Sequence, residues 1–159
     1  MSVDTTTARM AAMWRLIPGI TKAFDTIPRV ILPAECPCVV FFPGEATYDT
    51  DSYGDNDGME ERIYRPTLFV RPAFMGTEGQ VQNEVEPFFD RIRDYLIARP
   101  GLELDGETQP GVVVYEARLM GDSGFQVIAY PSASDQDAAF GAIEFRQRVR
   151  EWFTITYAD

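Results

Sequence analysis

The stretch Gly141-Ala142-Ile143-Glu144-Phe145-Arg146-Gln147-Arg148-Val149-Arg150-Glu151-Trp152-Phe153-Thr154-Ile155-Thr156-Tyr157 decides the fold. Ile143, Phe145, Val149, Phe153, Ile155 and Tyr157 fall on odd positions, and Glu144, Arg146, Arg148, Arg150, Thr154 and Thr156 on even ones. Side chains of a strand point alternately to opposite faces. The spacing therefore predicts one long strand with an apolar face and a charged face. Arg146, Arg148 and Arg150 form a guanidinium ladder on the charged face, with only Glu144 nearby to neutralise it. Such a ladder calls for carboxylates from elsewhere in the fold or from another chain.

Outward from this strand, the remaining segments assemble an α+β layer. Met10, Met13, Trp14 and Ile17 repeat at helical spacing, with Asp4 or one of Thr5 to Thr7 as cap. Pro18-Gly19 ends or kinks that helix, and Ile20 and Phe24 extend its stripe. Cys38 to Phe42 reads as a strand buried on both faces and closed by Pro43-Gly44. Glu45 to Glu61 reads as a long acidic loop, and Ile63 to Val70 as a strand placed at an edge or bulge by Pro66. A second helix carries Val81, Val85, Phe88, Phe89, Ile92, Tyr95 and Leu96. Thr77 and Gln80 suggest a capping box, and Pro87 a kink or a true start. Val112 to Met120 and Phe125 to Tyr130 read as a hairpin turning at Gly121 to Gly124, and a loop from Pro131 to Ala139 precedes the last strand. The predicted fold is a mixed or antiparallel sheet of about five strands with two helices packed on one face, in a single domain spanning 1–159.

A chain of 159 residues buries roughly 70% of its unfolded surface. Its net charge of −11 repels nucleic acid, whose binding rests on neutralised phosphates. Lys22 is the only lysine among fourteen basic residues, and arginine is suited to bidentate carboxylate pairing. The absence of histidine removes the commonest general base and metal ligand. Cys36 and Cys38 are too close in the chain for an unstrained disulfide, so both are expected to be reduced. The N-terminus does not have the pattern of a signal peptide, and no run reaches the ~20 apolar residues of a membrane helix. These features predict a soluble protein made in a reducing cytoplasm.

Asp49, Asp51, Gly54 and Glu60 occupy four positions of a calcium-loop template, but Tyr53 stands where a ligand is required and the flanks read as strands. An exposed acidic loop is the better reading. Carboxylate pairs such as Glu60-Glu61 and Glu84 with Glu86 lie in polar contexts, and no serine has a histidine to activate it. The chain is thus expected to be no enzyme and to need no cofactor or metal. The arginine ladder has two readings. Either it is a solvated face, or it is a contact between subunits in which Arg146, Arg148 and Arg150 meet a neighbour's acidic surface.

The layout resembles a known family. An N-terminal helix leads to Ile31-Leu32-Pro33-Ala34-Glu35-Cys36-Pro37-Cys38-Val39-Val40. The acidic stretch from Tyr48 to Glu61 then joins a strand ending at Phe69-Val70-Arg71-Pro72-Ala73. A helix with Phe89, Ile92 and Leu96 follows, and the chain closes on Phe153-Thr154-Ile155-Thr156-Tyr157. This is similar to the tail terminator (tail completion) proteins of long-tailed bacteriophages, except for the additional segment between Val112 and Ala139. The resemblance implies a structural virion protein at the head–tail junction, made in the host bacterial cytoplasm. Its working state would be a hexameric ring that caps the tail tube, ends its polymerisation and docks the head-completion or stopper protein. DNA would pass through the lumen without specific binding, helped by the negative charge of six copies. The expected tube-contact residues are Tyr48, Asp49, Asp51, Tyr53, Asp55, Asp57 and Glu60, with Phe41, Phe42, Tyr48 and Tyr53 as an aromatic rim. The alternatives are a stopper or minor tail protein, a small acidic binding protein of the DNA-mimic type and, third, a calcium-binding module.

Overall fold

The long alternating segment forms β5 (Asp137–Thr154), flanked on both sides by antiparallel strands, β3 (Asp57–Pro72) and β4 (Val114–Pro131). The computed structural model describes residues 3–49, 57–74, 77–100, 114–133 and 137–154. With β2 (Cys38–Asp49) and the short β1 (Lys22–Phe24), they make a five-stranded sheet in the order β1-β2-β3-β5-β4. The β1–β2 pair is parallel and all others are antiparallel, so the sheet is mixed. The α+β layer expected from the sequence is the one observed.

Helix α1 (Val3–Trp14) and a second helix broken into α2 (Glu78–Val85) and α3 (Pro87–Ile97) cover one face of the sheet. Met10, Met13 and Trp14 on α1 and Val81, Val85, Ile92 and Leu96 on α2 and α3 are buried against Phe41, Tyr64, Leu68, Ile143, Phe145 and Val149. Trp14 packs edge-on to Phe41 and Phe145, each with ring centroids 5.7 Å away. Pro87 sits at the first turn of α3, where its missing N–H costs nothing, and marks a new helix start.

Several expectations are corrected. The apolar stripe of α1 does not continue as helix: Gly19 adopts φ +93°, Ile20 is buried in the following turn, and Phe24 belongs to β1. No capping box forms at α2, because the Thr77 hydroxyl donates to Phe74 O (2.6 Å) and accepts from Phe74 N (3.0 Å). Pro66 lies on an interior strand. The β3–β5 ladder runs to Tyr64↔Gln147 and resumes at Thr67↔Glu144, skipping the position where proline has no N–H to give. Gly121 to Gly124 is no hairpin turn: β4 runs straight through it in two bulges and re-registers on β5 at Phe125↔Ile143. Asp122 accepts the Gly124 N–H at 2.8 Å, and Gly124 takes φ +76°, so the extra residues are absorbed without ending the strand.

The acidic loop is also shorter than expected. After a register shift between Pro43 and Ala46, β2 continues to Asp49, paired with Met59 of β3. Residues 45–49 and 57–61 are therefore strand. The opposite face of the sheet carries a second apolar cluster of Ile31, Cys38, Val40, Phe69, Phe140 and Ala142. The segment before β2 lies over it, held by Ile31 N–H to Pro131 O (3.1 Å) and by the Tyr130 hydroxyl donating to Pro28 O. Cys36 and Cys38 are free thiols.

Candidate interaction surface

Away from that cluster, the face of the sheet turned from the helices is crossed by rows of side chains set by strand register. Asp49, Met59 and Trp152 form one row, and Thr47, Glu61, Arg150 and Glu116 the next. Ile63, Arg148 and Arg118 follow. Tyr64↔Gln147 and Thr67↔Glu144 bracket the fourth row and set Arg65 across from Arg146.

The arginine ladder is partly neutralised within the chain. Arg150 Nε donates to Glu61 Oε2 at 2.8 Å, and its Nη1 lies 3.6 Å from Glu116 Oε2. Arg148 Nη2 lies 3.4 Å from Glu116 Oε1. Directly opposite charges across neighbouring strands are stabilising pairs, so Arg150 is clamped from both sides. Arg146 is exposed and makes no ion pair with any described residue. Of the three ladder residues, then, two are occupied internally and one is available.

The structure brings part of the acidic stretch to the same place. A half-open cavity of about 520 Å³ is lined by Tyr48, Asp49, Met59, Glu61, Arg150 and Trp152, together with Thr47. Tyr48 is 61% exposed and Trp152 38%. Glu60 faces the helical side instead, where Arg62 Nη2 holds it at 2.7 Å and Arg62 Nη1 also donates to Gly44 O. With Asp49 and Glu60 on opposite faces and Glu60 engaged by Arg62, these two calcium-template positions do not converge. Among the described residues no three metal-ligating side chains cluster. Asp57 lies in β3, while Asp51, Tyr53 and Asp55 lie outside the described residues. Two rim residues are corrected: Phe41 is a core side chain at 2% exposure, and Phe42 packs on the second apolar cluster.

Compared with known proteins, the chain matches no family model and no curated sequence.

Behind this surface lies a buried polar group that the alternation concealed. Gln147 and Glu151 occupy odd, helix-facing positions and are 0% and 4% exposed. The Thr6 hydroxyl of α1 donates to Glu151 Oε1. Burial pushes the Glu151 carboxyl above its ordinary range, with the Thr6 hydrogen bond opposing. Burial likewise raises the Tyr64 phenol to about 12, helped by the nearby Glu151 charge. The site residues missed from sequence are Arg65, Arg118, Glu116, Met59 and Trp152. Arg65 was masked by its neighbour Pro66, Met59 by the reading of Glu45 to Glu61 as loop, and Trp152 by being apolar on the charged parity, while Glu116 and Arg118 lay within the predicted strand Val112 to Met120, whose partner strand was unknown. Counting alternation strictly through each predicted strand would have exposed the others but not Met59.

Proposed function

We propose that this chain is a structural subunit of a phage head–tail junction, a tail terminator that assembles into a ring, of six copies by the family resemblance. The ring would cap the tail tube, stop its polymerisation and dock the head-completion protein, with DNA passing through its lumen. One observation carries the reading beyond the resemblance: the sheet is sealed by helices on one side, and no described segment covers the charged end of its other side. That side bears cross-strand charge rows beside a partly exposed Trp152. A broad, charged sheet face with an aromatic anchor is the chemistry of a protein contact. No described helix is long and apolar enough to cross a membrane, which accords with a virion component. A DNA mimic would have to use another surface, because this face displays Arg65, Arg118 and Arg146.

The test is tube capping. Added in excess to polymerising tail-tube protein, the folded chain should shorten the tubes. Tubes of unchanged length would overturn the reading. Salt-reversible inhibition of a DNA-binding protein would then mark the acidic binding protein instead.

A further inference from the structure

We infer that the bare sheet face receives the acidic helical back of a second copy of this chain, with Arg65, Arg118 and Arg146 making the contact. This inference rests on the ring reading above and names its interface.

Arg65, Arg118 and Arg146 are exposed on one face and make no ion pair with any described residue. The register sets Arg65 across from Arg146 and Arg118 across from Arg148. Like charges facing each other across strands are unfavourable, and the carboxylates best placed to relieve them are already used. Glu116 is shared by Arg148 and Arg150, and Glu61 is held by Arg150. Glu144 shares the face but makes no ion pair with them. An uncompensated basic strip on a chain of net charge −11 is complementary to the rest of that chain's own surface.

The opposite side of the molecule supplies the complement. Glu84, Glu86, Asp90 and Asp94 are exposed on α2, α3 and the residue between them. Arg93 serves both Asp90 and Asp94, and Arg71 serves Glu84, so the patch stays negative. Arg91 is turned away, stacked on Phe88 and donating to Pro18 O at 2.9 Å. Because the basic strip and the acidic patch lie on opposite sides of the sheet, the contact is head-to-tail. A head-to-tail contact with closing rotation makes a ring. Nucleic acid is the poorer occupant, since the whole chain repels phosphates.

Sedimentation velocity and native mass measurement of the full chain, at low salt and at about 1 M salt, test this. The parent should form an oligomer that dissociates in high salt. R65Q/R118Q/R146Q, with a melting temperature near the parent's, should self-associate at least about tenfold more weakly. R65E/R118E/R146E and E86K/D94K should each be monomeric alone, and mixing the two should restore association. A triple-Gln variant that assembles like the parent overturns this contact and leaves the ring reading standing. A parent that stays monomeric also overturns the contact, whereas tube capping decides the ring reading separately. Duplex DNA binding that the triple-Gln variant loses would assign the face to nucleic acid and overturn the proposal.

Discussion

Glu151 occupies a position where the parity of β5 calls for an apolar side chain, and its neighbours show what that costs. Burial disfavours the charged carboxylate and raises its pKa, while the Thr6 hydroxyl donates to it and restrains the rise. The folded value therefore lies above the unfolded one. The stability contributed by the protonated form is fully present below the unfolded pKa and is lost as pH rises through the folded value. Glu151→Gln cannot ionise and keeps an acceptor for Thr6. It should melt higher than the parent at pH 7, with the gain vanishing as pH is brought to about 4. Melting curves across that range check this, and a lower melting temperature at pH 7 would show that the carboxylate's partners outweigh its desolvation.

At the scale of elements, the helical layer meets the sheet closely where α2 crosses β5. A Cβ placed on Gly141 would collide with the Val81 side chain and touch Phe125, so the glycine is required by approach and not by backbone angle. Gly141→Ala should destabilise by about 1–3 kcal/mol, as overpacking does. Combined with Val81→Ala, the cost should fall well short of the sum of the two single changes, because the neighbours couple. Denaturant unfolding of the two single variants and the double variant measures this, and strict additivity would mean the layers do not touch there. Two turn-like signals were misleading for the same kind of reason. Gly121 to Gly124 and Pro66 carry local breaker chemistry, but the ladder to β5 resumes beyond each and holds the strand together.

For the whole molecule, the decisive feature is that the two sides of one sheet are unlike: one lies under helices, and the other is apolar at one end and charged at the other. Phe41 and Tyr48 lie on the same strand but belong to different parts of this arrangement. Phe41 is locked between Trp14 and the sheet, whereas Tyr48, on the same face beyond the register shift, is exposed and lies beside Arg62 and Glu60. Phe41→Ala should lose about 3–5 kcal/mol. Tyr48→Ala should change stability by only about 0.5 kcal/mol, as surface substitutions do. Urea unfolding of both variants checks the pair, and similar losses from the two would place Tyr48 in the core as well.

Period-two alternation in 141–157 and period-3.6 stripes around Trp14 and Ile92 are local properties of the chain, and they sufficed for β5, the helices and the apolar face, but not for β1 or for the continuity of β4. The free thiols and the new helix start at Pro87 were equally local. Which arginines of the ladder are free was not legible, because Glu61 and Glu116 reach Arg150 from strands about 90 and 34 residues away in the chain. Nor was the depth of the acidic stretch, since extended strand and acidic loop share the same polar composition until a partner ladder claims the backbone. Sequence periodicity determines which side of an element is apolar. Only the tertiary register decides which charges meet across it, and therefore that Arg65, Arg118 and Arg146 are the ones left facing outward.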